Sequence, residues 1–286
     1  MTAEVAASPA PARFVDLHAH STASDGSQSP VAAVEHAHRA GLAAFALTDH
    51  DTLAGIPDAQ RTADALGLRL VPGVEMSVHQ GPTEVHLLGL HIRDVAALQA
   101  RLEIYRDHRR SRAIEIVTKL NAVGVAVTVE AVLEASAGGA IGRPHVAKAL
   151  IAGGFVRDSR EAFDRYLAAG KPAFVEKERL DIAEGIEIIH EAGGLAVIAH
   201  PGAEGRRERI EPLVALGLDG LEVKHPSHSS EDMKRIAALA EFFGLLPSGG
   251  SDWHGAMQGG RSLGAMQVSH AWLDEQDMRV ARVRAG

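Results

Sequence analysis

Short apolar runs and amphipathic stretches alternate along the first third of the chain. The apolar runs resemble buried strands in length and composition, and they are RFVDLHAH, LAAFALTDH, LRLVPGVEM and TEVHLLGLH. The first run is followed by SPVAAVEHAHRAG, where Ser29 can cap a helix, Pro30 suits its first turn and Gly41 suits its end. A second helical stretch, IPDAQRTADALG, follows the next run. This alternation predicts βα units and a parallel sheet.

The pattern changes between about residues 94 and 170, where helical stretches separated by glycines follow one another without strands. Strand and helix patterns then alternate again, through LAVIAHPG, LDGLEVKHP and LLPSGGSDWHG. A chain of 286 residues lies within the size range of an α/β barrel. We therefore predict a barrel over residues 13–93 and 171–286, with a helical insertion over 94–170 that caps the barrel mouth.

The composition narrows the class of protein. No apolar run of roughly 18 residues occurs, so no membrane contact is expected. A net charge of −8 argues against binding of long duplex nucleic acid, although bound cations would still allow a small anionic substrate. Residues 1–12 are rich in alanine and proline and lack the apolar core of a signal peptide. We expect these residues to form a disordered lead, and we expect a cytoplasmic location by default.

Side chains suited to metal binding recur where the predicted strands end. Active-site groups of α/β barrels collect at this face from distant parts of the sequence. The chain has 16 histidines and no cysteine, so its metal ligands must be nitrogen and oxygen atoms. One histidine alone is most often structural, but this placement is repeated at His18, His20, His50, Glu75, His86, His200, Asp252 and His254. Imidazoles and carboxylates suit manganese, zinc or iron, and a carboxylate can bridge two ions.

The series DLHAHSTASDG, LTDHDT, GVEMS, EVHLLGL, AHPG and GSDWHG resembles the polymerase and histidinol phosphatase (PHP) family. The motifs run in the family's order from Asp16 to His254 and most resemble the branch that acts on nucleoside 3′,5′-bisphosphates. The resemblance implies a distorted (β/α)7 barrel with two to three divalent ions. The first ion would be held by His18, His20, Glu75 and Asp252. Glu75 would bridge to a second ion with His86 and His200, and the third would be held by Asp25, His50 and His254. Asp25 departs from many relatives, which have histidine there.

The resemblance also implies a reaction, the hydrolysis of phosphate monoesters by a hydroxide that bridges the ions. Glu75, Asp252 and His254 would be the catalytic residues, and the substrate would be a small nucleotide or the end of a short oligonucleotide. Three alternatives remain open: a histidinol-phosphate phosphatase, an amidohydrolase and a catalytically inactive PHP module. An amidohydrolase usually bridges its metals with a modified lysine, where this chain offers Glu75, and an inactive module would have lost ligands.

Substrate contacts are predicted outside the metal ligands. Arg143 in the insertion can clamp a phosphate through two parallel hydrogen bonds, and His145 follows it closely. His225 and His228 follow a later strand, where they are placed to contact substrate or donate a proton. The arginine-rich run over residues 106–112 is more typical of a solvated helix face.

Overall fold

The computed structural model describes residues 14–136, 141–176 and 179–285, so the predicted lead over residues 1–12 lies outside them. The strands are β1 Phe14–Asp16, β2 Ala44–Leu47, β3 Arg69–Pro72, β4 Val74–Gln80, β5 Thr83–Leu90, β6 Leu195–Ile198, β7 Gly220–Lys224, β8 Leu246–Gly249 and β9 Val268–Ser269. The helices are α1 Pro30–Arg39, α2 Ile56–Leu66, α3 Val95–Ala122, α4 Val129–Ser136, α5 Arg143–Ala152, α6 Ser159–Ala162, α7 Ile182–Glu191, α8 Arg207–Ala215, α9 Ser230–Phe243 and α10 His270–Ala285. A π-helical turn, Phe163–Leu167, continues α6.

The strands pair in two sheets, with the orders β3-β2-β1-β9 and β4-β5-β6-β7-β8. Neighbours among β1–β3 and among β6–β8 are parallel, as the alternation of strands and helices predicts. The pairs β4–β5, β5–β6 and β1–β9 are antiparallel, so the prediction of a purely parallel sheet is wrong there. Only Gly81 and Pro82 connect β4 to β5, which is too short for a crossover between parallel strands.

The mixed α/β fold agrees with the predicted class, but strand pairing does not define one closed seven-stranded barrel among the described residues. Two isolated bridges connect the sheets instead, between Ala19 and Trp253 and between His50 and Glu75. Both bridges lie where the predicted metal ligands lie. The two sheets therefore meet at the edge that carries the candidate site.

Local signals set several helix boundaries. The Ser29 hydroxyl accepts a hydrogen bond from the Ala32 amide at 3.2 Å, and Pro30 begins α1 as predicted. At α9, Ser229 and Asp232 form a reciprocal capping box, and Gly244 ends the helix in the left-handed conformation. These caps fix where each helix starts and stops relative to the neighbouring strands.

The helices of the insertion have a hydrophobic core of their own. Its buried side chains come from the second half of α3, from α4 and α5, and from the residues that follow as far as Ala173. The first half of α3 packs into the main core instead, through Leu98 and Leu102. The boundaries 94–170 stay a prediction, but this separate core is what an inserted helical unit requires. None of the helices in the described ranges is long and apolar enough to cross a membrane.

A buried carboxylate at the start of β7 predicts a pH-dependent contribution to stability. The Asp219 carboxylate accepts a hydrogen bond from His190 Nε2 at 2.7 Å, and this bond raises the pKa of His190. Arg279 Nη1 lies 3.8 Å from the other Asp219 oxygen. Because the pKa is higher in the folded protein, His190 stabilises the fold below its unfolded pKa of about 6.5, and this contribution is lost as the pH rises through the folded value.

We expect His190→Gln to lower the free energy of unfolding by about 0.5–1 kcal/mol near pH 5.5, and by less near pH 8.5. Urea unfolding at the two pH values measures the difference. His38→Gln, a substitution on the exposed part of α1, is the control and should change little at either pH. A loss of the same size at both pH values for His190→Gln would contradict the prediction.

Candidate metal centre

All nine predicted metal ligands lie in one cluster where the two sheets meet. Glu75 lies on β4 and His86 on β5, which pair side by side in the hairpin. The other seven come from the segments that follow β1, β2, β6 and β8, namely His18, His20, Asp25, His50, His200, Asp252 and His254. Chain segments from both sheets must therefore be in place before the cluster exists.

Glu75 is the centre of this cluster. Its side chain is only 1% exposed, and its oxygens face imidazoles on every side. His86 Nδ1 lies 2.7 Å and His200 Nε2 2.9 Å from Oε1. The nitrogens within 3.4 Å of Oε2 belong to His18, His20 and His50. A single buried carboxylate contacting five imidazoles is suited to bridging cations.

Asp252 and Asp25 supply the other carboxylates. Asp252 Oδ1 lies 3.1 Å from His20 Nε2, and Asp25 Oδ1 lies 3.2 Å from His254 Nε2. Asp252 and His200 have positive φ angles, 49° and 29°, which residues other than glycine adopt uncommonly. The backbone is therefore strained at His200, whereas aspartate tolerates the left-handed region more readily.

The chemistry of the donors fits a cation. Both ring nitrogens of His20 are buried and make no hydrogen bond among the described residues, although Nε2 lies close to two carboxylates. Buried polar atoms without a partner are rare and call for an unseen one. The ligand atoms of each candidate group lie within 4.8 Å of one another, and the groups include His18, His20, Glu75 and Asp252, then His20, Asp25, His50 and His254, then His50, Glu75 and His86.

The electrostatics of the cluster depend on burial and on opposite charges. Burial alone would raise the pKa of Glu75, but the neighbouring charges and hydrogen bonds, above all of His18, hold it well below its ordinary value. Burial would lower the pKa of His20, yet Asp252 and Glu75 raise it to about 9. Without ions, His20 thus holds a proton that balances these carboxylates, and cation binding must displace that proton.

A cleft of about 440 Å³ lies directly beside the cluster. Asp25, His50 and His86 form its floor, and the opposite wall comes from the insertion, including Arg143, His145 and Phe163. Arg109 and Arg112 of α3 also line it, so that three guanidinium groups face the same space. This differs from the solvated helix face expected for residues 106–112, because only part of that run points to solvent.

The three arginines are held in different ways. Arg143 Nη1 donates to the Leu167 carbonyl at 3.1 Å, and its guanidinium lies over the rings of Phe163 and Phe174. Arg112 donates two hydrogen bonds to the Val175 carbonyl.

Arg109 alone of the three pairs with a carboxylate among the described residues, that of Asp51 at 2.6 Å. Burial and the charges of Arg143 and Arg109 lower the pKa of Arg112, as expected for guanidinium groups that lie near one another.

The histidines predicted to contact substrate differ in their access to the cleft. His145 lines the cleft, and its Nδ1 accepts a hydrogen bond from the Gly142 amide. His225 and His228 are only 2% and 7% exposed. His228 bonds the Val223 carbonyl and the Gly202 amide, which is a structural arrangement. Direct substrate contact by these two histidines stays a prediction, and their burial argues against it.

Two residues of the site were missed from the sequence. Glu222 is fully buried on β7 and contacts His18, and Arg261 contacts Asp252. Glu222 had a recognisable signal, since a carboxylate between apolar Leu221 and Val223 in a buried strand needs a partner. Arg261 follows two glycines in a stretch with no periodic pattern, so nothing marked it.

Comparison with known proteins gives three matches along most of the chain. A 3′,5′-nucleoside bisphosphate phosphatase of Chromobacterium violaceum is 38% identical over 257 residues, which cover 87% of this chain and 90% of that protein. A 5′-3′ exoribonuclease of Haemophilus influenzae is 39% identical over 245 residues, which cover 84% and 89%. The structure of a candidate metal-dependent phosphoesterase from Bifidobacterium adolescentis superposes with a TM-score of 0.73 at 31% identity, covering 94% of this chain and 97% of that one.

Fold, cluster and relatives together define a metal-dependent phosphoesterase, a hydrolase. The model of the PHP domain matches residues 16–176, and the chain belongs to this family. The matched range begins at Asp16, just ahead of the HAH motif, and reaches through the insertion as far as the cleft wall. It therefore includes five of the seven ligands predicted for the first and third ions, which are His18, His20, Asp25, His50 and Glu75.

Proposed function

We propose that the protein removes the 3′-phosphate of a nucleoside 3′,5′-bisphosphate, leaving the 5′-monophosphate, or hydrolyses the end of a short oligonucleotide. The observation that carries this proposal is the arginine-lined cleft beside the cluster. A substrate with two phosphate groups would place one at the cluster and the other against the guanidinium groups of the cleft. The relatives that act on a nucleoside bisphosphate and on RNA ends support the same substrate class.

We also propose how the ions are held. One ion would be held by His18, His20, Glu75 and Asp252, a second by Glu75, His86 and His200, and a third by Asp25, His50 and His254. Manganese, zinc and iron all suit this set of nitrogen and oxygen donors. When bound, the ions neutralise charge on the phosphoryl oxygens and activate the attacking water.

The chain's own residues would bind and orient the substrate. Arg143 is preorganised by its two aromatic neighbours, so little side-chain entropy is lost when it binds a phosphate. The insertion covers the cleft from the side opposite His86 and would keep bulk water from the reacting group. His254 is one-third exposed, and its Nδ1 lies 2.9 Å from the Asp252 carbonyl, which leaves Nε2 directed at Asp25.

Histidinol phosphate fits this cleft less well. Its alcohol portion carries an ammonium group, which would have to lie near three guanidinium groups, while the acidic side chains that line the cleft, Asp25 and Glu84, lie on the side of the cluster and of β5. Like charges brought together in a partly buried space are unfavourable. A nucleotide's second phosphate would instead gain charge-assisted hydrogen bonds there.

A phosphate-release assay across matched substrates tests the proposal. The panel is a nucleoside 3′,5′-bisphosphate, the corresponding 3′- and 5′-monophosphates, a 5′-phosphorylated trinucleotide, histidinol phosphate and an aryl phosphate. We expect kcat/KM for the bisphosphate to exceed that for the 3′-monophosphate by at least about tenfold, because each charge-assisted hydrogen bond contributes about 1.5–3 kcal/mol. A preference for histidinol phosphate, or equal rates on all monoesters, would refute the substrate assignment.

A further inference from the structure

Glu222 is a fully buried carboxylate to which the predicted metal centre assigns no role. It lies in the middle of β7, between the buried side chains of Leu221 and Val223. Its two oxygens accept one hydrogen bond each, Oε1 from His18 Nδ1 at 2.9 Å and Oε2 from the His200 amide at 2.6 Å. A buried charge is tolerated only where such partners satisfy it.

These two bonds join the segments that follow β1 and β6. With one proton donated from Nδ1 to Glu222, Nε2 is the His18 nitrogen left to face the cluster, where it lies 3.1 Å from Glu75 and would offer its lone pair to a bound ion. At His200 the bond to the backbone amide holds a residue whose φ of 29° is strained. One side chain thus fixes both the tautomer of one predicted ligand and the backbone of another.

We propose that Glu222 is a positioning residue of the metal centre, which sets the affinity for the ions through His18 and His200. The proposal rests on the assignment of these two histidines as ligands and not on the choice of substrate. Glu222 also belongs to a group with His18 and His225 that is able to hold an ion itself. Both Glu222 oxygens are already occupied by donors, which favours the positioning role.

Glu222→Gln separates the two roles. A carboxamide has one accepting oxygen and one donating nitrogen, so it cannot accept from both His18 Nδ1–H and the His200 amide. Either the His200 amide loses its acceptor, or the His18 proton moves to Nε2 and removes the lone pair that faces the cluster. We expect the affinity for Mn²⁺ or Zn²⁺ to fall about 10- to 100-fold, while all ions still bind at high concentration.

Asp219→Asn is a closely matched control. Asp219 lies on the same chain segment, just ahead of β7, and its Oδ2 likewise accepts from a histidine ring, His190 Nε2, and from a β6 amide, that of Ala196 at 2.9 Å. It sits at the other end of the strands, away from the cluster. Both variants should lower the midpoint of thermal unfolding, but only Glu222→Gln should weaken metal binding.

In the experiment, metal-free protein and a fluorescent chelator compete for Mn²⁺ or Zn²⁺, which gives the affinity. Elemental analysis gives the number of bound ions, and ¹⁵N spectra give the tautomer of His18. The experiment uses no substrate, so its outcome does not depend on the proposed activity.

Should Glu222→Gln fail to fold, Glu222→Asp keeps the charge but is one methylene too short to reach both donors, and a weaker loss of affinity is expected. Affinity within about twofold of wild type, or equal weakening in Asp219→Asn, would refute the positioning role. Complete loss of one ion with unchanged affinity for the rest would instead make Glu222 a ligand and also overturn it.

Discussion

Glu75→Ala is expected to lower kcat/KM by at least about 10³-fold and to reduce the number of bound ions by about two per chain. The reason is geometric, because five imidazoles approach this one carboxylate and it is placed to be shared between ions. Removing it also leaves buried imidazoles without the negative charge that balances their protons. Metal content by elemental analysis and phosphate release on the same preparation measure both effects.

Two further variants separate the effect of the Glu75 charge from a general effect of removing a carboxylate. Glu75→Gln keeps the volume but not the charge, so it should lose ions and activity almost as completely as the alanine variant. Glu211→Ala removes an exposed carboxylate paired with Arg207 on α8 and should leave both properties unchanged. Full activity and unchanged metal content in Glu75→Ala would exclude Glu75 as a bridging ligand.

Arg143→Ala should lower kcat/KM for a nucleoside 3′,5′-bisphosphate by about 10- to 100-fold, which corresponds to one charge-assisted hydrogen bond. The loss should be much smaller for an aryl phosphate, which has no second phosphate to contact the cleft wall. Because Arg143 also packs on two rings, Arg143→Lys tests the geometry separately, since it keeps the charge but loses the planar fork. Steady-state kinetics on both substrates give the comparison.

Arg165→Ala is the control from the same helical insertion. Arg165 is half exposed, pairs with Glu161 at 2.7 Å and stacks on Tyr166, and it does not line the cleft. Its removal should leave both substrates unaffected. Equal losses on both substrates for Arg143→Ala would place Arg143 at the reacting phosphate, and no loss on either would remove it from substrate binding.

Much of the fold follows from short-range signals in the sequence. Ser29, Pro30 and Gly41 mark the ends of α1 because caps and left-handed turns act within a few residues. The antiparallel part of the second sheet was not predicted. LRLVPGVEM was interpreted as one strand, whereas β3 ends at Pro72 and β4 continues to Gln80 as one arm of a hairpin. Which strands become neighbours depends on long-range packing, which a pattern of apolar residues does not encode.

More of the candidate site than of the fold could be predicted from the sequence. The nine ligands share a chemistry and a position after or within strands, and the structure brings all of them together. Arg109 and Arg112 were interpreted as part of a solvated helix face, because helical periodicity alone does not tell whether an exposed face borders solvent or a cleft. The partners of a buried group such as Glu222 likewise become visible only when segments more than 200 residues apart in sequence are in contact.

The helix α3 has a consequence for how this protein can be rebuilt. Its 28 residues span about 42 Å, and it contributes Leu102 to the main core but Ile116 to the core of the insertion. A chimera that exchanged the insertion at its ends would therefore cut away half of a helix on which the other part of the molecule depends. A workable junction lies inside α3, between these two residues, and must preserve the helical phase, since a shift of one residue rotates every following side chain by about 100°. The substrate specificity of the cleft can thus be exchanged only together with the second half of α3, and with the helical phase of α3 preserved.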